Sequence, residues 1–301
     1  MYPQNPLPLP LTLTTLPKIS LGCPILDHLL HGGVPMNTLT ELVAESGVGK
    51  TQLCLQLLFI TQYPPLSGAA VYLHSELPFP FRRLHQLALQ HPSLQNPLVN
   101  VFIEPLYDAH QLFDKMSKLE FMLSRGGVVS SHLPVKVVVI DSIAALFRSE
   151  YGNNREDLMT RSKMFFEISS RLKAMAVKYG VAVVVTNQVV DVMDSDGVGN
   201  SECLVSSGRR VSPALGLSWT HCVNVRLFLY RQYERVVGEG ESVEFETRRF
   251  IRVVFAPHLP DSSCEFVIKR EGVIGIDQHR MIQEKCEIVH NAGTLLRALK
   301  P

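Results

Sequence analysis

The residues best suited to chemistry lie at Leu39–Thr51, where Leu-Thr-Glu-Leu-Val runs into Ala44-Glu45-Ser46-Gly47-Val48-Gly49-Lys50-Thr51. An apolar, strand-like stretch feeds a glycine-bearing turn, and a helical stretch from Gln52 to about Thr61 leaves it. Backbone N–H groups of such a turn wrap a phosphate chain, and the helix N-terminus adds partial positive charge. Lys50 then reaches the outer phosphates and the Thr51 hydroxyl holds Mg²⁺. Ala44 stands where GxxxxGK[ST] has its first glycine, so an ordinary strand–turn–helix with a chance Gly-Lys-Thr is the competing reading.

Three further polar groups follow apolar runs. Val137-Val-Val-Ile140 ends in Asp141, a carboxylate suited to holding Mg²⁺ through water. Val71-Tyr-Leu-His leads to Glu76, which can orient and deprotonate an attacking water. Val183-Val-Val-Thr-Asn leads to Gln188, which can sense a terminal phosphate. Each alone reads equally well as a solvated strand end. Taken with Lys50 and Thr51 they predict an ATP site at one edge of a sheet, where open α/β sheets bind ligands. The catalytic candidates are Glu76, Lys50 and Gln188, the metal candidates Thr51 and Asp141.

The elements that must position these groups alternate. Strand-like runs at Leu39–Val43, Ala70–His74, Val135–Ile140 and Val181–Thr186 are separated by helical stretches, the rhythm of βαβ units and a mostly parallel sheet flanked by helices. The clearest helix spans Asp157–Tyr179, with Leu158, Phe165, Ile168, Leu172, Met175 and Tyr179 on one face and Gly180 as its stop. Val223–Tyr230, Phe250–Phe255 and Cys264–Arg270 predict an antiparallel C-terminal extension. Residues 1–20 hold five prolines and read as an extended arm. Residues 21–275 form the core, and 276–301 extend beyond it without an assigned role.

Composition narrows the classes. The 301 residues carry 29 Lys and Arg against 28 Asp and Glu, a formal charge of +1, so nucleic-acid contact has to come from local clusters. Six cysteines show no CxxC or metal-ligand spacing and read as reduced thiols of an intracellular protein. The proline-broken N-terminus is a poor signal peptide, and no run approaches the roughly 18 apolar residues of a membrane span.

The order Leu21-Gly-Cys-Pro-Ile-Leu-Asp27, Gly32-Gly33, the P-loop, Ser75-Glu76, Phe81-Arg-Arg83-Leu, Asp141-Ser-Ile-Ala-Ala-Leu-Phe-Arg148 and Thr186-Asn-Gln-Val resembles eukaryotic RecA-family recombinases and their paralogues. Arg209-Arg-Val-Ser-Pro-Ala-Leu-Gly216-Leu-Ser-Trp219 and Ala256–Cys264 resemble one paralogue branch in particular, and the likeness covers roughly 18–275. It implies a RecA-like P-loop NTPase core binding ATP and Mg²⁺ through Ala44–Thr51, with Arg83 over the adenine. Ala256–Pro260 would cap ATP across a subunit boundary. The loops Arg148–Asp157 and Val189–Pro213 would contact single-stranded or branched DNA, with Arg148, Arg155, Arg209 and Arg210 as the cations. The implied protein partners are a C-type RecA-family paralogue and the main recombinase, and the implied compartment is the nucleus. Three departures stand out. The proline arm takes the place of a helix–hairpin–helix domain, Leu77 replaces the glycine after the glutamate, and the second loop carries Asp191, Asp194 and Asp196.

Plainer readings apply elsewhere: Arg248–Arg249 as solvated charge, His221–Cys222 as part of a strand, and Trp219, Phe165 and Phe166 as packing. Two functions compete. One is a DNA-stimulated ATPase of double-strand-break repair by homologous recombination that also processes recombination intermediates. The other is a nucleotide-stabilised scaffold subunit of a paralogue complex whose hydrolysis is dispensable. A small-molecule kinase would need an acceptor pocket and lid that nothing in the sequence marks.

Overall fold

The computed structural model describes residues 16–76, 78–124, 133–147, 154–192, 204–237 and 243–277. Long apolar runs suit strands buried on both faces, and four of them with one half-buried edge strand form the parallel centre. These are β3 (Leu39–Ala44), β4 (Ala69–His74), β5 (Val101–Pro105), β6 (Val135–Asp141) and β7 (Ala182–Asn187), counted after the short pair β1 (Lys18–Ile19) and β2 (Val34–Pro35). Next come β8 (Val189–Asp191), β9 (Leu204–Ser206), β10 (Arg209–Pro213), β11 (Val225–Val237), β12 (Val243–Phe255), β13 (Ser263–Ile268) and β14 (Val273–Ile276). The helices are α1 (Pro24–Leu29), α2 (Lys50–Ile60), α3 (Phe81–Ala88), α4 (Ala109–Ser124), α5 (Arg155–Tyr179) and α6 (Gly216–Thr220).

One nine-stranded sheet runs β14-β13-β12-β11-β3-β7-β6-β4-β5. From β11 through β5 all neighbours are parallel, and from β11 outward to β14 they are antiparallel, as the sequence led us to expect. Strand periodicity divides the core into two layers. Val137 and Val139 face α2 and α3, while Val138 and Ile140 face α4 and α5.

Helix α5 starts under the Asn154 side chain, which accepts from the Asp157 N–H at 2.8 Å, and stops at Gly180 with φ +62°. Phe165, Ile168, Leu172 and Met175 are buried as the stripe predicts, each such side chain contributing about 1.5–3 kcal/mol. Leu158, expected on that face, is exposed. Phe166 is also exposed, one residue off the buried face, whereas Trp219 is fully buried. His221 and Cys222 follow α6 in a turn rather than a strand.

Two further expectations change. Lys18 and Ile19, placed in the arm from sequence, belong to the folded body: Ile19 is fully buried, and Lys18 Nζ donates to the carbonyls of Leu30 and His31. The proline-rich residues 1–15 and the segment 278–301 lie outside the described residues. Arg248 is not free surface charge, since it pairs with Glu234 and Glu265 across β12, β11 and β13.

Candidate nucleotide site and its arm

Parallel pairing of β3, β7, β6 and β4 brings their C-terminal ends to one edge. A cavity of about 540 Å³ opens there, lined among others by Gly47, Lys50, Thr51, Glu76, Asp141 and Gln188. The sequence scattered these groups over 140 residues; strand order gathers them.

The loop between β3 and α2 turns through two left-handed glycines, Gly47 at φ +74° and Gly49 at φ +135°. A side chain at Gly49 would press on Ile268 and Phe266, whereas the Gly47 Cβ position is open. Ala44 has no positive φ, ends β3 in ordinary extended geometry and is fully buried, which is why alanine is tolerated there. Lys50 Nζ donates to the carbonyls of Ala44 at 2.7 Å and Glu45 at 3.0 Å. Burial lowers the Lys50 pKa, and the nearby Asp141, Glu76, Cys54 and Glu45 charges counter part of that shift.

Asp141 is the hub of the metal side. Its Oδ2 accepts from Thr51 Oγ1 at 2.7 Å and from the Tyr72 hydroxyl, and its Oδ1 accepts from Thr186 Oγ1. Burial and the adjacent Asp141 carboxylate push the Tyr72 phenol well above its ordinary range, so it remains a proton donor. Across the cavity Gln188 Nε2 donates to Glu76 Oε1 at 2.7 Å. Ser75 and Ser142 tie the ends of β4 and β6 reciprocally, through Ser75 Oγ to Ser142 O and Ser142 N to Ser75 Oγ.

Arg83 lines the cavity from α3. It donates to Gln52 and Gln86 and to the carbonyls of Lys269 and Arg270, so it joins α2 and α3 to the β13–β14 turn.

Not every residue of Ala44–Thr51 faces this space. Ser46 and Gly47 do, but Val48 packs in the core and Glu45 turns its side chain away. Glu45 points at a three-stranded antiparallel sheet, β8-β10-β9, built from the flanks of the segment expected as a DNA loop. This arm is not the bare loop that its acids suggested. Arg209 donates to Asp191 at 3.0 Å and to Glu45 at 3.4 Å. Arg209 and Arg210 are exposed on β10, and Arg155 is exposed at the start of α5. Arg148, Leu77, Asp194 and Asp196 lie outside the described residues.

Beneath the loop sits a group that sequence reading missed. Glu41, fully buried in β3, accepts from Asn187, Trp219 and Arg226 at 2.7, 2.8 and 2.5 Å. The pairs are 146 to 185 residues apart, so no local pattern could announce them. Tyr72 and Thr186 were missed for a different reason, because both sit inside strands that read as wholly structural.

A family model described as Rad51 matches residues 13–276. The chain belongs to the Rad51 family. Among curated relatives, this Rad51-family chain is 46% identical over 286 residues to the "DNA repair protein XRCC3 homolog" of Arabidopsis thaliana, covering 86% of the chain and 93% of the relative. It is 36% identical over 268 residues to the "DNA repair protein XRCC3" of Bos taurus, covering 86% and 75%. It is 30% identical over 281 residues to the "DNA repair protein RAD51 homolog 2" of Mus musculus, covering 83% and 73%. These likenesses agree with the RecA-like reading of the core and with the paralogue branch suggested by Arg209–Trp219 and Ala256–Cys264. Among the described residues no helix is long and apolar enough to cross a membrane.

Proposed function

We propose that this Rad51-family chain is an ATP-binding accessory recombinase of DNA repair, similar in role to the XRCC3 proteins it resembles. It would act on single-stranded or branched DNA in the nucleus beside a C-type paralogue and the main recombinase. The observation that supports this most is Lys50, Thr51, Asp141, Glu76 and Gln188 around one cavity, with an arginine-bearing arm attached to the same loop.

The residues fit Mg-ATP. Gly47 leaves the loop open to a close approach, and Thr51 and Asp141 offer the hard oxygens that Mg²⁺ prefers. Bound ATP supplies a phosphoric anhydride for water to cleave, with Mg²⁺ screening its charge. Lys50 neutralises charge at the phosphate end, and Tyr72 and Thr186 hold Asp141 so that its carboxylate stays aimed at Thr51. Glu76 takes the proton of the attacking water, and Gln188 fixes the Glu76 carboxylate through its amide. Arg83 would flank the base, and Ala256–Pro260 would contact a neighbouring subunit's nucleotide.

The second reading, a nucleotide-stabilised scaffold, draws on the exposure of Glu76 at the cavity mouth. Complementation of repair-deficient cells separates the two. If hydrolysis matters, both Lys50→Ala and Glu76→Gln fail to restore resistance to DNA cross-links. If the nucleotide is only structural, Glu76→Gln restores it and Lys50→Ala does not.

A further inference from the structure

An acid inside a phosphate-binding loop opposes its ligand unless its charge is compensated. Glu45 is the only acid of Ala44–Thr51, and it is 7% exposed. Its two ends face different partners. The backbone carbonyl accepts from Lys50 Nζ at 3.0 Å. The side chain enters the junction of β9, β10 and β11, where Oε2 accepts from Arg231 at 2.8 Å, Ser207 Oγ at 3.1 Å and Arg209 at 3.4 Å. Burial alone would raise the Glu45 pKa, but hydrogen bonds from Ser206, Arg231 and Ser207 and the Arg231 charge hold it below its ordinary value, so it is an anion at neutral pH.

The two arginines are not equivalent. Arg231 is anchored: its N–H donates to Ser206 Oγ at 3.2 Å, its carbonyl accepts from Ser207 N at 2.8 Å, and its side chain is 24% exposed. Arg209 is 55% exposed and divides its guanidinium between Glu45 and the exposed Asp191. A competing anion in solution therefore reaches Arg209 more readily than Arg231.

We propose that Glu45 is a positioning residue linking the nucleotide loop to the arm, with Arg209 as the exchangeable cation. When a nucleic-acid phosphate recruits Arg209, the loop carboxylate loses compensation and opposes the nucleotide phosphates. By linkage, a bound nucleotide holds Arg209 on Glu45 to the same degree. This deepens the proposed function and rests on its reading of the Lys50 loop. It adds one opposing contribution to whatever other coupling the two sites have.

The test is a double-mutant cycle on the full chain. A fluorescent non-hydrolysable ATP analogue with Mg²⁺ is titrated into wild type, Glu45→Gln, Arg209→Gln and the double variant. The Arg209 substitution weakens the analogue about three- to tenfold when Glu45 is present and less than about 1.5-fold in the Glu45→Gln background. Asp191→Asn frees Arg209 from its other acid without touching the loop, and does not weaken the analogue. With a saturating oligo-dT, the ratio of analogue affinities with and without DNA is about three- to tenfold more favourable in Glu45→Gln than in wild type. Equal Arg209 effects in both backgrounds, or equal DNA ratios in both, overturn the proposal and leave Glu45 a staple for β9 and β10. Wild-type protein that binds no Mg²⁺–analogue complex sinks the nucleotide reading itself. Binding with an additive cycle sinks only the role given to Glu45.

Discussion

The nucleotide edge and the arm are built on opposite plans. At the edge, functional groups project from strands buried on both faces, and the partners of Asp141 are hydroxyls held by those strands or by the first turn of α2. In the arm, β8, β9 and β10 are three to five residues each, and exposed Arg209 is held by the acids Asp191 and Glu45. A rigid edge suits a ligand of fixed shape. An arm whose arginine is already paired suits exchange, in which one anion replaces another at small net cost.

The comparison is sharpest where a buried charge is set against an exposed one. Glu41→Ala leaves Arg226 buried without its carboxylate and should cost about 3–5 kcal/mol of unfolding free energy. Arg209→Gln should change it by less than about 0.5 kcal/mol. Urea denaturation of both variants reads the contrast, and similar losses would mean that the arm is as deeply built as the edge. Next in size, Lys50→Ala should weaken Mg-ATP at least about 100-fold by equilibrium titration, while oligo-dT affinity without nucleotide stays within about twofold. A parallel fall in both would merge the two regions into one site. The charge-removing pair Arg209→Gln and Arg210→Gln should each lower the slope of log affinity against log salt by about 1. Unchanged slopes would remove the arm from the DNA interface. Asp191→Asn should then strengthen oligo-dT binding about two- to threefold at low salt, since Arg209 gives up one competing anion.

The smallest effect is in pH. The folded pKa of Glu45 is depressed, so its ion pairs stabilise the protein fully above the unfolded value of about 4.3 and are lost as pH falls through the lower folded value. The melting-temperature advantage of wild type over Glu45→Gln should therefore be constant from about pH 5 to 7 and shrink steadily as pH falls below about 4. An advantage that does not shrink at all on acidification would show that the carboxylate's charge is not what matters.

Much of the edge was legible because its signals are local. A β-branched run ending in a polar residue marks a strand and its functional end, which holds for Asp141 and Gln188, while Glu76 follows a mixed apolar run. The Gly-Lys-Thr turn carries its own geometry, with left-handed φ in this loop only at Gly47 and Gly49, so the backbone at Ala44 needs no glycine. What stayed hidden depends on distant pairing. Glu45 looked like one more loop residue because Arg209 and Arg231 lie 164 and 186 positions away. Nothing local marks Glu41, because Arg226 lies 185 positions away. Leu158 and Phe166 are exposed although both lie on or beside the stripe, since helical periodicity marks a face without showing which of its residues a neighbour covers.

ATP hydrolysis by the purified chain, alone and with a C-type paralogue, with and without single-stranded DNA, tests the central claim most directly. Turnover that rises with DNA and disappears in Lys50→Ala is the predicted result. Nucleotide binding with no DNA-stimulated turnover in either preparation would contradict it and leave the cavity a structural nucleotide site.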